Sequence, residues 1–186
     1  MKKIKSKKSE FDNYAKKYKN FLDISLPNFL NEPDYFARYK VDLVHNYRQN
    51  KKTKSILDFG CGIGLSLKFF SKYYPHSKLW GYDTSAISLK YAKNDLNGIR
   101  FKTSMKSIPK NYFDIVFVAN VFHHMKIKDQ KKAILSFKNF LNRNGYIYFF
   151  EHNPLNPLTR IIFNNSPLDK NAEMIPLKKI VKLAQM

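Results

Sequence analysis

The chain has 186 residues and a mass of 22.0 kDa, which suits one domain, or one domain with a small cap, and excludes two of ordinary size. Its 44% hydrophobic and 16% aromatic content excludes wholesale disorder, and its single cysteine, Cys61, excludes an internal disulfide. The formal charge of +20 comes almost wholly from lysine, 29 against 5 arginines, alongside 18 asparagines, 16 phenylalanines and 12 tyrosines; A/T-rich coding produces such a surface without a polyanionic partner, and arginine, the better fork for phosphate and bases, is scarce.

Residues 1–10 form a polybasic arm that lacks the apolar core of a signal peptide, and no run approaches the roughly 18 apolar residues of a membrane span. The expected compartment is the cytoplasm, with peripheral membrane contact open only through that arm. A helix is predicted from Pro33–Asp34, with Phe36, Tyr39, Leu43, Val44 and Tyr47 on one face. Residues 1–50 thus read as an arm and helical cap, and 51–186 as the main domain.

Strand–helix alternation follows. Ser55 to Phe59 is a short apolar strand ending at glycines; Leu65, Phe69, Phe70 and Tyr73 keep helical spacing until Pro75. Lys78 to Asp83 reads as the second strand, with Thr84 or Ser85 capping the next helix. Ile99 to Lys102 is a weak third strand. Phe113 to Ala119, almost entirely apolar, reads as a parallel strand covered on both faces. A helix through Ala133, Ile134, Phe137, Phe140 and Leu141 is predicted to stop at Asn144-Gly145, before a fifth strand from Tyr146 to Phe150. A final helix begins at Pro176. The pattern implies an α/β fold with a doubly wound, mostly parallel sheet.

The segment Ile56-Leu57-Asp58-Phe59-Gly60-Cys61-Gly62-Ile63-Gly64 joins a strand to a helix, where glycines allow a sharp turn and close approach of a ligand. Its G-x-G-x-G spacing departs from the G-x-G-x-x-G of dinucleotide sites, and Asp58 suits a cationic ligand better than a pyrophosphate. Asp83, 23 residues beyond Gly60, closes the second strand, where a carboxylate can accept from vicinal ribose hydroxyls or cap a helix.

These segments, with FDIVFVANVFHHM at 113–125 and GYIYFFEHNP at 145–154, resemble the class I S-adenosylmethionine-dependent methyltransferases. DYFARYK at 34–40 and EHNPLNPLTR at 151–160 look like the branch acting on small molecules, similar to quinone and secondary-metabolite O-methyltransferases. The resemblance implies a Rossmann-like methyltransferase fold and methyl transfer from S-adenosylmethionine, giving S-adenosylhomocysteine, to a small-molecule acceptor, expected to be a hydroxyl. It implies cofactor contacts from Asp58, Gly60, Cys61, Gly62, Gly64, Asp83, Thr84, Ser104 and Asn120. Ser104 stands where many members carry a carboxylate for the adenine amino group. Asn120 to His124 and Glu151 to Asn153 would meet at one cleft, with His124, His152 and Glu151 expected at the reacting end and His123 beneath the cofactor. Three histidines and a glutamate can bind zinc, but their spacing matches no zinc motif, so no metal is expected. Phe11, Tyr14, Tyr18, Phe21, Tyr35 and Phe36 could form a lid over the acceptor site.

Family members usually finish the sheet with two more strands. By this resemblance strands six and seven are expected to be missing, through truncation, which is favoured, through a natural shortening of the domain, or with a partner copy covering strand five, which would otherwise be a bare edge. The rivals are an RNA or DNA methyltransferase, favoured by charge but lacking an Asn-Pro-Pro-Tyr type of motif after strand four; a non-catalytic cofactor-binding module; and a nicotinamide-dependent dehydrogenase, disfavoured by the glycine spacing.

Overall fold

Five strands lie in the order β3-β2-β1-β4-β5 in a computed structural model that describes residues 34–49 and 51–185. The strands are β1 (Ser55–Phe59), β2 (Lys78–Tyr82), β3 (Arg100–Lys102), β4 (Phe113–Ala119) and β5 (Leu141–Phe150), and every pairing is parallel. The helices are α1 (Tyr35–Arg48), α2 (Leu65–Tyr73), α3 (Ala86–Asp95), α4 (Ile127–Phe140), α5 (Pro157–Asn165) and α6 (Leu177–Ala184). The order reverses direction between β1 and β4, the switch point beyond whose carboxyl ends such sheets bind ligands.

Alternation along β1 and β4 divides the core between the two faces. Leu57, Phe59, Val116 and Val118 pack with Ile134 and Phe137 of α4 and Ile180 and Leu183 of α6. Ile56, Ile115 and Phe117 pack on the other face with Leu67 and Phe70 of α2, Leu89 of α3, and Val41 and Val44 of α1. At the amino ends, Asp114 accepts from Lys54 N (2.7 Å), Ser55 N (2.9 Å) and Asn142 Nδ2 (2.7 Å), tying β1, β4 and β5 together.

Three sequence expectations change. The buried face of α1 carries Val41, Val44 and Arg48, of which Val44 was on the expected face, whereas Tyr39, Leu43 and Tyr47 are exposed; Val41 and Val44 pack with Leu67 and Phe70 of α2. Helix α4 does not end at Gly145: it ends at Phe140 and passes straight into β5, whose Leu141 pairs with Phe113. Gly145 serves that strand instead, since a Cβ there would lie 2.5 Å from Phe113 O. Helix α5 was not predicted, although its start is legible: Asn156 accepts from Thr159 N at 3.1 Å, and Pro157 occupies the first turn.

Among the described residues β5 is an edge strand, paired only with β4. Its side chains are partly covered: Arg48 and Lys51 lie over Tyr146 at 5.2 and 4.9 Å, and Tyr47 meets Tyr148 edge-on at 6.1 Å. No described helix is long and apolar enough to cross a membrane. The basic arm and the lid aromatics Phe11, Tyr14, Tyr18 and Phe21 lie outside the described residues.

Candidate active site

The glycine loop after β1 is built by left-handed backbone at Gly60 (φ 78°), Gly62 (φ 52°) and Gly64 (φ 86°). The three have different jobs. A Cβ on Gly60 would lie 2.4 Å from Val121 Cγ2, and one on Gly64 would lie 2.6 Å from Leu96 Cδ1, so both permit close packing. A Cβ on Gly62 would meet nothing within 4 Å: the loop is open to the cavity at that point.

Hydrogen bonds tie this loop to the end of β2. Gly60 N and Cys61 N donate to Tyr82 O at 2.7 and 3.0 Å, and Gly62 N donates to Asp83 Oδ2 at 2.8 Å. Ser85 N donates to Asp83 Oδ1 at 2.8 Å, while the Ser85 hydroxyl caps α3 by accepting from Ser88 N at 3.0 Å. Asp83 is therefore held from two sides, with its carboxylate on the cavity wall; the cap role belongs to Ser85.

Asp58 lines the same end of the cavity and is buried. Burial, reinforced by Asp83 and opposed by Lys40, raises its pKa to about 8. Lys40 of α1 also lines the cavity; burial lowers its pKa to about 8 against the opposing fields of Glu151 and Asp58. Cys61 is a buried free thiol whose pKa burial raises, which makes it a packing residue of the loop rather than a nucleophile.

A second cluster gathers where β4 and β5 end. Asn120 takes a left-handed conformation (φ 56°), which asparagine tolerates, and donates its N–H to Phe150 O at 2.8 Å. Glu151 Oε1 accepts from Val121 N (2.9 Å) and Phe122 N (2.7 Å), and Oε2 lies 2.5 Å from His123 Nδ1. His123 Nε2 lies 3.2 Å from Asp169 Oδ1, and His124 Nε2 lies 3.3 Å from the same oxygen. Burial alone would depress the His123 pKa, but its bonds to Asp169 and Glu151 raise it to about 8, so the ring is charged at neutral pH. The same contacts outweigh burial at Glu151 and Asp169 and hold both carboxyls below their ordinary range. Burial, helped by the His123 charge, lowers His152 to about 4 and keeps it neutral.

Both clusters line one cavity of about 1460 Å³. Of the residues named from the sequence, Asp58, Gly60, Cys61, Gly62, Asp83, Thr84, Asn120, His124, Glu151 and His152 line it. Gly64 does not; it is the turn residue that starts α2. Nor does Ser104, which is exposed at the start of a short 3-10 turn whose next residue, Met105, faces the cavity instead. Of the proposed lid, Tyr35 and Phe36 line the cavity. Lys40 and Asp169 were not foreseen. Lys40 sits one helical turn after Phe36, a spacing that could have revealed it, whereas Asp169 lies in the irregular segment between α5 and α6 and carried no signal.

Residues 57–149 match the family described as "Methyltransferase domain". An uncharacterized methyltransferase of Schizosaccharomyces pombe is 31% identical over 111 residues, 52% of this chain and 39% of that protein. Ribosomal RNA small subunit methyltransferase C of Colwellia psychrerythraea is 29% identical over 120 residues, 60% of this chain and 33% of that protein. The chain spans less than half the length of the curated relatives it matches. A SAM-dependent methyltransferase structure from Archaeoglobus fulgidus superposes with a TM-score of 0.70 at 16% identity, covering 90% of this chain and 72% of its own. The parallel sheet, the glycine loop tied to an acidic strand end and the match over half of the sequence agree: the chain belongs to the methyltransferase-domain family of class I S-adenosylmethionine-dependent methyltransferases.

Proposed function

We propose that the protein transfers a methyl group from S-adenosylmethionine to a hydroxyl of a small, largely apolar acceptor. The observation that carries this reading is the single cavity joining the glycine loop and Asp83 to the histidine cluster. At about 1460 Å³ it exceeds the roughly 300–1,000 Å³ of a site for one small ligand, leaving space for a nucleoside and an acceptor together. The residues fit the cofactor: the loop is open over Gly62, Asp83 offers a held carboxylate to the ribose, and Asp58 with Lys40 presents an acid and an ammonium to the zwitterionic methionine end.

If bound there, held by the glycine loop, Asp83, Asp58 and Lys40, S-adenosylmethionine would supply an electrophilic methyl carbon with a neutral thioether as leaving group. The chain's contribution is positioning and removal of the acceptor's proton. His124 is the base in this reading, since Asp169 beside its Nε2 orients the ring and stabilises the imidazolium formed. His152, half-buried and kept neutral, hydrogen-bonds the acceptor. Glu151, with both oxygens engaged, is a positioning residue that shapes the turn after β4.

RNA is the second reading, favoured by the +20 charge and by the partial similarity to a ribosomal RNA methyltransferase. Against it, Lys40 and Lys178 are the only lysines or arginines among the described residues lining the cavity.

The chain is expected to form S-adenosylhomocysteine when given S-adenosylmethionine and a panel of phenols and quinols. His124→Ala should lower kcat about 100-fold while leaving cofactor affinity within about threefold. Label appearing in added RNA, with salt-sensitive binding, would establish the rival. Cofactor binding without turnover on either would reduce the protein to a binding module.

Asp83→Ala is expected to weaken S-adenosylmethionine binding at least tenfold, about 1.4 kcal/mol, by calorimetric titration. It removes the ribose acceptor and also frees Gly62 N, so Asp83→Asn, which keeps an acceptor for that N–H, should lose less. Unchanged affinity in Asp83→Ala would confine the residue to holding the loop.

A further inference from the structure

We propose that His123, His152 and Asp169 form a site for one first-row divalent metal ion of the zinc type, at the acceptor end of the cavity. The three come from separate parts of the chain: the turn after β4, the end of β5, and the segment between α5 and α6. One ligand atom from each lies within 4.8 Å of the others. Ligand atoms about 2.1 Å from a common ion cannot lie more than about 4.2 Å apart, and in a tetrahedral site lie roughly 3.4 Å apart. His123 Nε2 and Asp169 Oδ1, at 3.2 Å, already have that spacing, and His152, within 4.8 Å of both, reaches it with a side-chain shift of at most about 1.4 Å.

The surroundings point the same way. A metal-binding histidine characteristically gives its other ring nitrogen to a carboxylate, which fixes the ring and raises its basicity. Glu151 does this for His123 at 2.5 Å and is itself held by Val121 N and Phe122 N. The His123 and Glu151 side chains are only 1% and 4% exposed, and Phe163 packs its ring 5.7 Å from His123 and 5.3 Å from His152. An outer carboxylate, a dry wall and two imidazoles with one carboxylate are what a borderline first-row ion selects; calcium or magnesium would call for oxygen donors. Three protein ligands leave a coordination position over, the mark of a reactive site rather than a structural one.

The arrangement revises which groups could serve. From the sequence, Glu151 was the available carboxylate; in the fold it stands behind His123, and Asp169 takes the place beside the ring. Without an ion, His123 Nε2 and Asp169 Oδ1 sit within hydrogen-bonding distance of each other, at 3.2 Å. If the acceptor is a hydroxyl compound, a reading that rests on the function proposed above, the ion would act as a Lewis acid toward its oxygen.

The test uses the 186-residue chain, stripped with chelator, dialysed and titrated with Co²⁺, with Zn²⁺ as competitor. Expected are one Co²⁺ per chain with visible d–d bands, loss of those bands on adding Zn²⁺, and a higher melting temperature with Zn²⁺. His152→Ala and Asp169→Asn should each weaken binding at least about tenfold. Wild-type protein that binds S-adenosylmethionine but shows neither bands nor a Zn²⁺-dependent melting shift overturns the site. So does undiminished Co²⁺ binding in both variants, which would locate the ion elsewhere. These readouts need no acceptor, so the site can stand if the acceptor proves to be RNA, and fall while methyl transfer to a hydroxyl stands.

Discussion

Asp58→Asn is expected to weaken S-adenosylmethionine binding at least tenfold while making the cofactor-free protein more stable at pH 8. The two effects have one cause. Asp58 is buried beside Asp83, and its pKa is raised from an ordinary 3.8 to about 8. The unfolded chain releases this proton near pH 4 and the folded chain retains it to about pH 8, so Asp58 makes stability fall as pH rises through that interval. Asparagine removes the penalty, by about 2–4 kcal/mol at pH 8. The same substitution removes the negative charge offered to the ligand's ammonium and sulfonium. Cofactor binding below pH 8 should therefore release a proton from Asp58, visible as a binding enthalpy that varies with buffer ionisation heat and becomes invariant in the mutant. Urea melts at pH 5 and pH 8 give the stability arm. A mutant no more stable than wild type at pH 8 would mean that Asp58 is solvated or paired in the free protein.

Glu151→Ala should cost about 3–5 kcal/mol near pH 6. It strips a carboxylate from the buried, charged His123 and leaves Val121 N and Phe122 N without their acceptor. The pH dependence follows from the two directions of shift. His123 is raised from 6.5 to about 8, so its contribution is complete below about pH 6.5 and disappears as pH rises through about 8. Glu151 is lowered from 4.5, so its contribution is present above about pH 4.5 and disappears on acidification. The gap between wild type and mutant should be widest between those limits and shrink on either side. Glu151→Gln, which retains an oxygen for the two backbone N–H groups, should recover part of the loss. A residue acting only as a proton acceptor for substrate would leave the melting curve unmoved.

Much of the frame was legible because local chemistry and the fold agree there. The apolar runs SILDF and FDIVFVA gave β1 and β4 with the bounds that the structure has, since a strand covered on both faces can hold little else. Tyr74-Pro75 limited α2, and Ser85 capped α3 as a serine before a helix does. Where the expectation failed, a neighbour in space outweighed the local signal. Asn144-Gly145 is a good helix stop by itself, but Leu141 pairs with Phe113 and the strand claims both residues. Of the stripe Phe36, Tyr39, Leu43, Val44 and Tyr47, only Val44 is fully buried; α1 buries Val41 beside it, and these small side chains pack with Leu67 and Phe70 of α2.

By itself the sequence determined the parallel α/β sheet, the glycine loop with an acid closing the next strand, and the methyltransferase family, because each depends on residue types at short, fixed spacings. The tertiary structure alone decided which charges meet. It set Lys40 against Asp58, put Asp169 across from His123 and His124, and engaged both Glu151 oxygens in holding a buried imidazole and the turn after β4. Those partners come from different helices, strands and loops. The energy of a buried charge depends on distances of a few ångströms that no spacing along the chain records.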